Sequence, residues 1–185
     1  MTLTKDELDT ITKVFPLLGS DLELVIETGT HHGIGASKLS SAFPNAHIHT
    51  VEIDHDLANT AKLSLHECKN VTVHEGDSMF KIPTILEGKT DAVAIFYLDT
   101  CMLDEQSGTN GVAVPLYEEL KIILDKYEGK ATGCSALFVI NNIDRFGVDK
   151  HWSGISVDGV MHIVKECGWS VMTTFLRQGK MYILV

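Results

Sequence analysis

The stretch Glu27-Thr28-Gly29-Thr30-His31-His32-Gly33-Ile34-Gly35 sets one carboxylate, two imidazoles and three glycines in close succession. Glycines in such a turn let the backbone bend sharply and come close to a ligand with no Cβ in the way. Gly33-Ile34-Gly35 has Lys38 where a third glycine would complete the dinucleotide fingerprint, so the spacing is instead acid-x-Gly-x-x-x-Gly. Val51-Glu52-Ile53-Asp54 supplies a second acidic site, and a carboxylate there can accept both hydroxyl hydrogens of a ribose. Glu75-Gly76-Asp77-Ser78 supplies a third. Singly, each has a purely structural use as a tight turn or a helix N-cap. Their order along the chain carries the signal.

The elements that would position these residues alternate regularly. Leu8, Ile11, Phe15 and Leu18 recur at helical spacing before Gly19, predicting a leading helix. Strands are predicted over Leu22–Ile26, His47–Ile53, Val71–His74, Ala92–Leu98 and Ala136–Ile140. Helices are predicted over Ile34–Phe43, Leu57–Glu67, Leu116–Tyr127 and Val157–Cys167, with a short one over Met79–Leu86 interrupted by Pro83. Trp169–Leu176 and Met181–Val185 are both strand-like and are separated only by Arg177-Gln178-Gly179-Lys180, which predicts a closing hairpin. The expected fold is α/β: a Rossmann-like, doubly wound seven-stranded sheet, mostly parallel with an antiparallel C-terminal hairpin strand, forming a single domain over 1–185 with an N-terminal helix. Ligands of such sheets bind at the carboxyl ends of the strands, where the strand order switches. The three acidic turns all fall at strand ends of that kind.

On these residues the sequence resembles the class I S-adenosylmethionine-dependent methyltransferases from Leu22 to Val185. The resemblance implies that Glu27, Gly29, Thr30 and Gly33 pack against the methionine part of the cofactor. It also implies that Glu52 binds the ribose, and that Asp77 and Ser78 fix the adenine amino group. Tyr97-Leu98-Asp99-Thr100-Cys101, Asn141-Asn142 and Pro115-Leu116-Tyr117-Glu118-Glu119-Leu120 are similar to the small O-methyltransferases of the catechol type and their bacterial relatives. This implies methyl transfer to an oxygen, or less readily a nitrogen, of a small molecule or sugar, with Asp99 beside the cofactor. Metal-dependent members hold magnesium with an Asp after strand four and a carboxylate-bearing pair after strand five.

In this chain the pair is Asn141-Asn142, and one carboxylate with two neutral amides is a poor magnesium site, so metal binding is expected to be weak or absent. The asparagines suit either a left-handed turn or contact with the substrate. Met102 stands where the catechol enzymes carry their lysine base. Candidate bases are His31, His32, Asp104, Asp144 and His151, with His32 placed first because its loop must face the cofactor. The loop from Asp104 to Gly111 and the segment Phe146–Ile155 are candidate covers, with Trp152 either stacking on substrate or anchoring its loop.

The chain has 185 residues, 44% hydrophobic and 22% charged, and a net charge of −10 from fifteen basic and twenty-five acidic residues. No basic stripe marks a nucleic-acid partner. No apolar run is long enough to span a bilayer and no signal peptide is evident, which predicts a cytoplasmic protein without membrane association. Cys68, Cys101, Cys134 and Cys167 are singly spaced and read as free thiols. The oligomeric state is open, a homodimer among the alternatives. Two other functions remain: a catalytically degenerate binding or interaction protein of the same fold, motivated by Asn141 and Asn142, and a nicotinamide-dependent oxidoreductase, disfavoured by Lys38.

Overall fold

The computed structural model describes residues 3–18, 21–99, 114–127 and 136–185. Seven strands form one sheet: β1 (Leu24–Thr28), β2 (His47–Glu52), β3 (Val71–Glu75), β4 (Ala94–Leu98), β5 (Ala136–Ile140), β6 (Thr173–Arg177) and β7 (Lys180–Leu184). Their order is β3-β2-β1-β4-β5-β7-β6. The first five are parallel, and β7 runs antiparallel to both β5 and β6. The helices are α1 (Lys5–Val14), α2 (Ile34–Ala42), α3 (His55–Ser64), α4 (Ser78–Ile85), α5 (Leu116–Lys126) and α6 (Val157–Glu166). The expected doubly wound sheet with its antiparallel hairpin is the observed architecture.

β1, β4 and β5 are buried at every position, because helices cover both faces of the sheet. Alternate residues therefore enter two separate cores. Leu24, Ile26, Phe96 and Phe138 face α4, α5 and α6, whereas Val25, Ile95, Tyr97 and Leu137 face α1, α2 and α3. The strand order reverses between β1 and β4, where Thr28 is level with Val51 of β2 and Leu98 of β4. Backbone pairing continues just past these ends, through Gly29 N to Val51 O at 2.9 Å and Asp99 N to Thr28 O at 3.2 Å. Glu27, Glu52 and Asp99 are thus brought to one edge of the sheet.

Three local expectations change. α4 runs unbroken across Pro83, at the loss of one bond to the Met79 carbonyl, because Lys81 N still reaches Asp77 O and Leu86 N reaches Ile82 O, both at 3.0 Å. The hairpin turn is two residues long: Gln178 and Gly179 have φ of 54° and 71°, the left-handed pair that matches strand twist. Lys180 accordingly belongs to β7, not to the turn. β6 begins at Thr173, so Trp169 lies outside the strand and packs on Tyr127 with centroids 5.5 Å apart. Among the described residues no helix is long and apolar enough to cross a membrane. Cys68 and Cys167 are free thiols, while Cys101 and Cys134 lie outside the described residues.

Candidate functional site

Where β1 gives way to α2, a cleft of about 160 Å³ opens, lined by Glu27, Thr30, His32, Gly35, Tyr97 and Asp99, with Leu3 as one wall. The turn that shapes it depends on its glycines. Gly29 and Gly33 have φ of 82° and 81°, and a Cβ on Gly33 would lie 2.8 Å from the Leu65 side chain. Gly35 lies against Glu27, and a Cβ there would sit 2.2 Å from Glu27 Oε1. Gly33 caps α2 without a side-chain hydrogen bond, so among the described residues no side chain occupies the first backbone N–H groups of this helix, the kind that can receive an anion.

Glu27 is 3% exposed. Thr50 Oγ1 donates to its Oε2 at 2.6 Å and accepts from Thr30 Oγ1 at 2.6 Å, a relay between β1, β2 and the turn. Burial pushes the Glu27 carboxyl up to about 8, and the nearby charges of Asp99 and Glu52 add to the rise against the Thr50 hydrogen bond. Without a ligand, the group is therefore mostly protonated at neutral pH.

Glu52 holds the turn from the other side. Its Oε2 accepts from His31 N at 2.7 Å and its Oε1 from Asp54 N at 3.0 Å, while further lone pairs on both oxygens can still receive hydroxyl hydrogens. Asp54 caps α3 through Leu57 N. His31, at φ 51°, is exposed and meets His32 edge-on at 4.1 Å, and burial followed by the neighbouring His32 lowers its pKa. His32 is exposed at the cleft mouth.

Asp77 caps α4, its Oδ1 accepting from Met79 N at 2.9 Å. The Ser78 hydroxyl turns inward to Glu119 Oε1 at 2.5 Å. Glu119, fully buried on α5, also accepts from Thr28 Oγ1 at 3.4 Å. This makes Glu119 a tie between the third strand end, the first strand and α5, a part not assigned to it from the sequence.

Asp99 closes the cleft at the end of β4. Its Oδ1 accepts from Asn141 Nδ2 and, at 3.0 Å, from Asn142 Nδ2. Burial raises its pKa, opposed by Asn141, the Lys180 ammonium and Asn142. Asn142 sits at φ 62°, the left-handed conformation that is one of its two anticipated uses. Behind the asparagines lies Lys180, 2% exposed, whose Nζ donates to Asn141 Oδ1 at 2.8 Å and to Glu7 Oε1 at 2.7 Å. Burial pushes Glu7 upward, but Lys180 and the Thr4 backbone N–H outweigh it, and the carboxyl ends below its ordinary value. Neither Lys180 nor Glu7 stood out in the sequence.

The remaining candidates are scattered. Asp144 and His151 are exposed in short turns after β5, away from the cleft lining. Trp152 is 2% exposed, stacks on Phe146 at 5.5 Å and has the Arg145 guanidinium 5.4 Å from its ring centroid. It anchors its loop in the core instead of covering the cleft. Thr100, Cys101, Met102, Asp104 and the candidate loop that follows lie outside the described residues.

The strand order defines a Rossmann-like, doubly wound sheet closed by an antiparallel hairpin, with carboxylates at its switch point. No family model matches the chain, and no curated protein matches it. Solved structures do. The O-methyltransferase TomG from Streptomyces achromogenes, involved in tomaymycin synthesis and solved in complex with S-adenosylmethionine, superposes with a TM-score of 0.67 at 17% identity. That match covers 100% of this chain and 81% of TomG. The fibrillarin pre-rRNA processing protein of Methanococcus jannaschii gives 0.65 at 14% identity, over 98% and 74% of the two chains. An O-methyltransferase family protein from Burkholderia thailandensis gives 0.61 at 14% identity; the match covers 98% of this chain and 55% of that one, so this chain spans little over half its length. At these identities the likeness establishes the fold.

Proposed function

We propose that the chain is an S-adenosylmethionine-dependent methyltransferase acting on an oxygen, or less readily a nitrogen, of a small molecule or sugar. One observation carries this reading. The cleft at the β1/β4 switch point is lined by Glu27 and Asp99 and by the first residues of α2, and Glu52 holds its turn from behind through His31 N. That donor set fits S-adenosylmethionine, whose sulfonium and ammonium are cationic, whose carboxylate suits a helix N-terminus, and whose ribose suits the remaining lone pairs of Glu52. Asp77 Oδ2 is the group for the adenine amino hydrogens. The bound cofactor supplies a methyl group activated by its positive sulfur.

The protein's share is then positioning and proton management. Glu27 and Asp99 hold the cationic end, and Leu3 helps to exclude water beside them. The acceptor enters at the cleft mouth, where His32 takes its proton as the methyl group is transferred. Magnesium does not fit the residues present. Asp99 Oδ1 is occupied by two amides, Asn141 Oδ1 by Lys180 and the Asn142 N–H, and a buried ammonium lies where a cation would be repelled. A net charge of −10 disfavours nucleic acid as the acceptor, despite the fibrillarin likeness of the fold.

Calorimetric titration tests the reading. S-adenosylmethionine and S-adenosylhomocysteine are expected to bind in the micromolar range and NAD not at all. Methyl transfer to an acceptor panel, abolished in Glu27→Ala, is expected to follow; binding without transfer to any acceptor would favour a degenerate binding protein.

A further inference from the structure

We propose that Lys180, held by Glu7, is a positioning residue that sets the sense of the Asn141 amide and thereby aims the Asp99 carboxylate into the cleft. This rests on the cofactor assignment above. The ammonium is 2% exposed and Glu7 5%, and an unpaired charge at such depth is heavily penalised. Each compensates the other at 2.7 Å. Replacing a buried ion pair by apolar or neutral groups of like volume is often neutral for stability, so stability alone gives little reason for the pair to be there.

Its geometry gives another reason. Asn141 Oδ1 accepts from Lys180 Nζ at 2.8 Å and from Asn142 N at 2.9 Å, which engages both of its lone pairs. With the oxygen fixed on that side, Nδ2 must face Asp99, where it donates to Oδ1. A rotated amide would set its NH₂ group against the ammonium and its carbonyl against the carboxylate, two repulsive contacts in place of two attractive ones. Asn142 Nδ2 completes the hold on Oδ1 at 3.0 Å. Among the described residues Asp99 Oδ2 accepts no hydrogen bond, and Asp99 lines the cleft. The relay Glu7, Lys180, Asn141, Asp99 therefore runs from α1 through the first residue of β7 to the wall that meets the cationic amino-acid end of the ligand.

The double variant Glu7→Gln/Lys180→Met removes both charges without stranding either. It is expected to melt close to the wild type and to bind S-adenosylmethionine and S-adenosylhomocysteine about tenfold more weakly. Its affinity for 5′-methylthioadenosine, which keeps the nucleoside and lacks the amino-acid end, is expected to be unchanged. Unchanged affinity for all three ligands, or equal loss for all three, would overturn the positioning role. Failure of the wild type to bind any of them would instead overturn the cofactor assignment. The relay then has a ligand-free readout: the Asn141 side-chain amide protons should exchange slowly in the wild type and fast in the double variant, and equal exchange in both would refute it.

Discussion

A carboxyl group can hold a cation only when ionised, yet in the free protein the pKa of Glu27 stands at about 8 because of burial and the two neighbouring acids. A group with a pKa of about 8 is roughly nine-tenths protonated at pH 7, and deprotonating it weakens apparent binding about elevenfold there and about a hundredfold at pH 6. The folded pKa is raised, so the free protein retains this proton up to about pH 8, and a ligand that needs the ionised form must expel it. Cofactor affinity should therefore fall about ninefold from pH 7 to pH 6, with close to one proton released per binding event at pH 7. Calorimetry at fixed pH in two buffers of different ionisation enthalpy counts that proton. Glu27→Gln should bind more weakly, release no proton and lose the pH dependence. A wild-type binding enthalpy that does not vary with the buffer would refute the reasoning.

Other outcomes follow from the same geometry. Gly35→Ala places a methyl group against Glu27 Oε1 and should reduce S-adenosylmethionine binding by at least tenfold in calorimetry, with a melting temperature lowered by only a few degrees. Glu52→Ala removes the acceptor for His31 N and Asp54 N and should weaken S-adenosylmethionine and 5′-methylthioadenosine alike, by about tenfold or more, because the loss falls on the nucleoside side. Adding magnesium or a chelator should leave any methyl transfer unchanged within twofold, as read in a product assay. His47, His49 and His74 stack beside Lys89, and His49 is lowered to about 3, by burial first and then by Lys89 and the other two rings. Below the unfolded value near 6.5, the unfolded chain takes up protons that the fold refuses, so this contribution to stability is lost as pH falls. The melting temperature of His49→Asn should accordingly vary less between pH 7 and pH 5 than that of the wild type.

What could be read from the sequence was what depends on local pattern. β1, β4 and β5 are buried on both faces, so they stand out as short apolar runs, and Glu27, Glu52, Asp77 and Asp99 lie at or just past strand ends at spacings that a β-α unit repeats. Contacts made across the sheet were not legible. Glu7 and Lys180 are 173 residues apart, and a lysine after glycine in a hairpin reads as a solvated turn residue until the two-residue turn places it in β7. Glu119 belongs to a helix whose acidic face looks solvent-directed, yet it accepts from Ser78 and Thr28 in the interior. Trp152 had two readings of equal standing because periodicity does not reveal whether a loop residue faces the core or the cleft; its stacking on Phe146 decides for the core.

The most direct measurement is a crystal structure with S-adenosylmethionine diffused in. The amino-acid end should lie between Glu27, Asp99 and the N-terminus of α2, with the ribose hydroxyls on Glu52 and the methyl group directed toward the mouth beside His32. A cofactor lodged elsewhere on the fold, or a cleft that stays free of it at saturating concentration, would contradict the assignment.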